Sequence, residues 1–164
     1  MTNDFFQDDN YKMPETSNYL KFKEGDNNFR VLSSAIVGYE YFTEQNKPIR
    51  SRTPFDETPN RKQDSEVKHF WAFVVWNYDA ERIQILELTQ VGIMKYLQSI
   101  IKNPKWGSPK GFDITVNRTG AGLNTEYTTV CSPHSLLPVE IMNAFSKTKV
   151  NLEALFNNED PFKS

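Results

Sequence analysis

Cysteine occurs once in this sequence, at Cys131. No internal disulfide can form, and a reducing cytoplasm suits the chain. One thiol and two histidines also fall short of a structural zinc site, which takes four protein ligands rich in cysteine. Cys131 and His134 make a lone Cys-x-x-His pair with only His69 elsewhere, so neither a metal nor another cofactor is expected. No apolar run approaches the about 20 residues of a membrane span. The start, MTNDFFQDDNYK, lacks the basic residues and apolar stretch of an export signal, and the sequon Asn117-Arg118-Thr119 is expected to stay idle. Nothing around Cys131 marks an activated nucleophile. Asp113 and Glu126 do not amount to a carboxylate cluster, so the chain is not expected to be an enzyme.

Aromatic residues, by contrast, are plentiful: 12 Phe, 7 Tyr and 3 Trp in 164 residues. That is enough apolar material for one domain with a full core. The net charge of −2 hides an asymmetry. Residues 44–118 carry twelve Lys/Arg against nine Asp/Glu, and the rest carries seven against twelve. A mildly basic middle therefore sits between acidic ends.

The densest aromatic stretch is KHFWAFVVWNYDAERIQILELTQ, from Lys68 to Gln90. Two runs of aromatic and β-branched residues flank Asp79-Ala80-Glu81, the pattern of a β-hairpin. With a two-residue turn at Ala80-Glu81, Trp76 faces Ile85 and Phe73 faces Leu88. Alternation puts Trp71, Phe73, Val75, Leu86 and Leu88 on one face, which reads as core. The other face holds Phe70, Ala72, Val74, Trp76, Tyr78, Ile83, Ile85, Glu87 and Thr89. A two-sided apolar hairpin is commonly covered by a second layer of protein; it can also serve as a platform on which flat ligands stack.

The remaining elements bear on that choice. Residues 1–18 read as a mobile acidic arm. Tyr19–Lys23 alternates like a strand, and Phe29–Phe42 reads as a long strand bent at Gly38. Residues 44–66 lack periodicity and carry Lys47, Arg50, Arg52, Arg61 and Lys62. Thr89–Asn103 has helical spacing and is stopped by Pro104. Phe112–Asn117 and Glu126–Cys131 alternate around a glycine-bearing loop that begins at Arg118. A helix between the third and fourth of five strands is the order of an OB-fold barrel, whose binding face lies on strands two and three between two loops. The expected fold is therefore a mainly β, five-stranded OB-type barrel over residues 19–133. A packed extension with a short helix follows over 134–156, then a mobile acidic tail over 157–164. In that fold the aromatic hairpin and the basic loops coincide with an oligonucleotide site. Phe70, Trp76 and Tyr78 are the candidate stacking residues, and Lys47, Arg50, Arg52, Arg61, Lys62, Lys68 and Arg118 are the candidate phosphate contacts.

YLKFKEGDNNFRVL, HFWAFVVWNY, IQILELTQ and WGSPKGFDITVNRTGAGLNTEYTTV together resemble phage-encoded single-stranded DNA-binding proteins of the OB-fold type, over roughly residues 19–133. The resemblance implies a factor that coats single strands during DNA replication or recombination, in the host cytoplasm. Glu159-Asp160-Pro161-Phe162 is similar to the acidic Pro-Phe tail with which bacterial single-stranded DNA-binding proteins recruit replication enzymes. Here Lys163 and Ser164 follow, so the phenylalanine carries no terminal carboxylate. Two alternatives stay open: an OB-type module that binds protein, and an RNA-binding protein. Oligomeric state is left open.

Overall fold

The computed structural model describes residues 17–163, so the expected arm lies outside the described residues except for its last two. The described strands are β1 (Gly25–Val31), β2 (Ile36–Phe42), β3 (Pro48–Ser51), β4 (Lys68–Asn77), β5 (Arg82–Leu88), β6 (Asp113–Thr119) and β7 (Glu126–Cys131). Helix α1 (Val91–Lys102) stands between β5 and β6, and α2 (Val139–Lys147) and a 3-10 segment (Leu152–Asn157) follow β7. The strands form one mainly antiparallel sheet in the order β3-β2-β4-β1-β6-β7, with β5 on β4. Among the described residues no helix is long and apolar enough to cross a membrane.

β1 and β2 share one edge of β4: Val31 lies opposite Val75 and Ile36 opposite Ala72. The interruption between them is at Leu32–Ala35, not at Gly38 as expected. Gly38 lies inside β2 opposite Phe70, and a Cβ there would come within 2.5 Å of the Ser51 carbonyl oxygen. This glycine permits close approach rather than a bend. β3 was hidden inside an aperiodic stretch. It has only four residues and opens with Pro48, which an edge strand tolerates in its first position.

The β4–β5 hairpin pairs Trp76 with Ile83 and Phe73 with Leu86, two residues away from the expected register. Its turn is Tyr78–Glu81, four residues instead of two. The Asn77 side-chain oxygen accepts hydrogen bonds from the Asp79 and Ala80 N–H groups, at 2.9 and 3.3 Å, and Glu81 takes a left-handed φ of 54°. A slip of two leaves every side chain on its face. Phe73, Val75, Leu86 and Leu88 therefore pack as expected with Phe29, Phe112, Ile114 and Val116. Helix α1 closes this core with Ile93, Met94 and Leu97.

A closed five-stranded barrel needs β5 to pair with β7, and no such ladder is present among the described residues. The free edge of β5 instead bonds the chain leading into β1. Leu20 N–H donates to the Ile85 carbonyl, and Ile85 N–H to the Asn18 carbonyl, both at 2.9 Å. Two residues on, the Phe22 ring meets the Tyr127 ring of β7 at 5.8 Å. A single chain segment thus lies between the two strands, and the sheet stays open.

The outer face of the hairpin is covered too. Val74 and Ile83 pack with Ile141, Ala144 and Phe145 of α2, while Phe70, Ala72 and Ile85 pack with Leu155 and Phe156. The tail expected to be mobile belongs to this layer. Pro161 is buried, the Asn151 N–H donates to its carbonyl at 2.7 Å, and Phe162 reaches both outer clusters. Two apolar side chains among charged neighbours are enough to dock the end of the chain.

Two glycines make a paired test. Gly38→Ala should lower stability by about 1–3 kcal/mol through overpacking, read as a lower urea midpoint. Gly92→Ala, in α1 where a Cβ meets nothing within 4 Å, should be neutral or raise stability by about 0.5–1 kcal/mol.

Candidate nucleic-acid interface

The three expected stacking residues lie under the outer layer. Phe70 is 0% exposed, with the Phe156 ring 6.1 Å away and the Arg50 guanidinium 6.0 Å from its centroid. Trp76 is half-buried against the α2 cluster. The Tyr78 hydroxyl donates to Asp113 Oδ1 at 2.7 Å, and burial together with that acceptor pushes its pKa up to about 12. Asp113 also accepts from Arg30 Nε at 2.8 Å, and Arg30 Nη2 donates to Ser135 Oγ at 2.7 Å. Tyr78 is thereby part of the tether that starts the C-terminal layer. The ribbon is not an open platform, because its apolar outer face is satisfied by the chain's own α2 and 3-10 segment.

The expected cations divide into two groups. Arg52 forms an ion pair with Glu153 and sits 4.4 Å over the Phe156 ring. Arg61 donates to the Ser65 carbonyl at 2.6 Å, and Lys62 to Asn46 Oδ1 at 3.0 Å; both hold the β3–β4 loop in shape. Arg118 donates to the Phe22 carbonyl at 3.0 Å, beside the groove but not in its lining. Lys47, Arg50 and Lys68 come together on one groove of about 870 Å³. Lys21, absent from the expected set, joins them there, and Lys21, Lys47 and Lys68 are exposed. Rings of Tyr19, Phe22, Phe42 and Tyr127 also line the groove.

Arg50 is less available than its neighbours. Its Nη2 lies 2.9 Å from Glu87 Oε2, its Nε 3.3 Å from Glu40 Oε2, and its Nη1 donates to the Leu155 carbonyl at 3.4 Å. Strand parity puts Glu40 and Glu87 on the face of Phe70. A charged residue between apolar neighbours in each strand was the signal for them. Burial pushes Glu40 up to about 8, helped by a hydrogen bond to the Glu87 carboxyl and by its charge, against the pull of Arg50. At neutral pH the floor of the groove then holds one guanidinium and one carboxylate, which balance; around it Lys21, Lys47 and Lys68 outnumber Glu159, which lines the same groove, and leave it net positive.

His134 and Cys131 are engaged locally. His134 Nε2 donates to the Trp106 carbonyl at 2.6 Å, and burial pushes the Cys131 thiol up. Among the described residues no three His, Cys, Asp or Glu side chains gather as a metal site.

The raised Glu40 has a consequence for stability. A carboxyl with a higher pKa folded than unfolded contributes fully below its ordinary value of 4.5 and loses that contribution as pH rises toward 8. The Glu40→Gln protein keeps the neutral form throughout. Its melting temperature should therefore gain on the wild type's steadily between pH 5 and pH 8, measured as paired melts; a constant difference would show that Glu40 titrates normally. Compared with protein-family models, with curated proteins and with solved structures, the chain matches none.

Proposed function

We propose that the chain binds single-stranded DNA without strong sequence preference and protects exposed strands during phage DNA replication or recombination. The observation that carries this reading is the convergence of Lys21, Lys47 and Lys68, from three separate segments, on one ring-lined groove. Lysines attract successive phosphates and release counterions. Aromatic rings favour unpaired bases, each stack being worth about 1–3 kcal/mol. Neither feature reads base edges, which suits a sequence-tolerant binder.

The fold reading that goes with it is an OB-type barrel left open at one seam. β1 and β2 act as the long first strand, β4 and β5 as the second and third, and β6 and β7 as the fourth and fifth. The groove lies along the seam, beside the edge of β5 and Tyr127 of β7. This differs from the stacking face expected of the hairpin, since that face is occupied. Nor does the tail offer a hook for replication enzymes, because Phe162 is packed inward.

A second reading, a module that binds protein, draws on one feature: Leu136, Val139 and Met142 stand exposed at 95, 64 and 52% along the start of the C-terminal layer. Binding of labelled oligo-dT separates the two. The wild type should bind it with an affinity that falls steeply with salt. Reversing Lys47 and Lys68 to Glu should cut that affinity about ten-fold or more, with the melting temperature unchanged. The salt slope should flatten by roughly 0.7 for each phosphate that the variant no longer neutralises. Unaltered binding by a folded double variant would move the site off this groove, and absence of any oligo-dT binding would favour the protein module.

A further inference from the structure

The sheet's inner face does not end where its core ends. Along β4 the residues on that face are His69, Trp71, Phe73 and Val75, and only the last two are fully enclosed. Opposite them on β2 lie Tyr39, facing His69, and Val37, facing Trp71. The Tyr39 and His69 rings meet at 5.0 Å, His69 is exposed, and Val37 is 48% exposed. Tyr39 is half-buried and Trp71 packs partly on the inner core, so three rings follow one another at the rim of the surface that α1 covers.

Trp71 also separates two hollows. One, of about 510 Å³, is bounded by Lys68, His69, Trp71 and the α1 residues Met94, Lys95 and Gln98. The other, of about 280 Å³, is bounded by Trp71, Phe73, Leu97, Ile101 and Lys110. Lys68, Lys95 and Lys110 are all exposed, and the acid among the lining residues is Glu66. Lys68 lines the first hollow and also the lysine-rich groove already described. One residue therefore joins the two surfaces around the start of β4.

We infer that Tyr39, His69 and Trp71 form a base-stacking platform that continues the groove, with Lys68 at the turn and Lys95 and Lys110 taking the phosphates that follow. The inference rests on the single-strand reading and says where the bases go. Its physical content is charge and shape together: flat rings in series, a half-open hollow on each side of an indole, and three cations spaced along them. A single strand of nucleic acid offers both the flat faces and the regular negative charge that such a surface complements. An acidic peptide matches the charge but not the rings.

The test uses a protein in which Trp71 is the remaining tryptophan, made by Trp76→Phe and Trp106→Phe, neither of which lies on the proposed track. Oligo-dT should quench Trp71 emission, and high salt should restore it. Tyr39→Ala with His69→Ala should weaken oligo-dT binding, measured by anisotropy, about five-fold or more for each base that no longer stacks. Lys95→Glu with Lys110→Glu should weaken it roughly ten-fold. The surface-charge pair, made in the chain with all its tryptophans, supplies a readout even if the single-tryptophan protein does not fold. If oligo-dT binds with wild-type affinity to the folded Lys95/Lys110 and Tyr39/His69 variants, the platform is wrong while the single-strand reading stands. The same holds if Trp71 emission is unmoved as oligo-dT binds. Equal quenching by poly-glutamate would replace base stacking with charge capture. Failure of the wild type to bind oligo-dT at all would remove the underlying reading instead.

Discussion

The β4–β5 hairpin turns Phe73, Val75, Leu86 and Leu88 to one side and Phe70, Val74, Ile83 and Ile85 to the other, and all eight are buried. Enclosing a side chain of this size is worth about 1.5–3 kcal/mol relative to leaving it in water, so each face draws a cover of its own. Helix α1 with β1 and β6 encloses the inner face. The chain after Ser135 is drawn across the outer face, and the order of the C-terminal segments follows from it: α2 lies over Val74 and Ile83, and the 3-10 segment over Phe70 and Ile85. The end of the chain is recruited into the same layer because Pro161 and Phe162 extend the apolar cover.

Charge marks the two ends of that outer layer. At its start, Arg30 is held between Asp113, the Lys110 carbonyl and Ser135, with Tyr78 donating to the same carboxylate. Toward its end, Arg50 lies between Glu40 and Glu87 and donates to the Leu155 carbonyl. A buried guanidinium without partners would be costly, and burial of such a pair contributes little net stability. Their value is positional. Each arginine ties a backbone carbonyl of the C-terminal layer to a specific place on the sheet, which an apolar contact alone does not fix. The raised pKa of Glu40 belongs to this arrangement, since burial first, and then the neighbouring Glu87, disfavours its charge.

Much of this was readable from residue order, and the exceptions have identifiable causes. Parity along Phe70–Tyr78 assigned both hairpin faces correctly even though the turn is longer than expected, because a slip of two cannot move a side chain across the sheet. The extent of α1 followed from Ile93, Leu97 and Pro104. The 3.6-residue spacing of Ile141 and Phe145 announced α2, but periodicity names a face without naming what it packs on. The fate of Trp76 was therefore undetermined by local pattern. β3 was hidden because four residues beginning with Pro48 carry no alternation. Gly38 reads as a bend because the need for it arises from Ser51, on a neighbouring strand. Basic residues were legible as a set, but their separation into structural and exposed members depends on partners such as Glu153 and Leu155, which no spacing rule connects to Arg52 or Arg50.

The same logic locates surface that folding leaves unclaimed. On the outer face the two layers match: every ring of the hairpin there finds a partner from the C-terminal layer. On the inner face they do not. Helix α1 is only 12 residues long, and its buried side chains, Ile93, Met94 and Leu97, fall over the middle of the hairpin. β2 and β4 run on past these side chains, still alternating, so their inward positions bring His69 to the surface and leave Tyr39 and Trp71 half-buried at the rim of the core. Tyr39 and His69 thus hold the inward register past the buried side chains of α1, and Trp71 packs on the inner core only in part, which leaves these rings, with Lys68 and Lys95 beside them, open to a ligand.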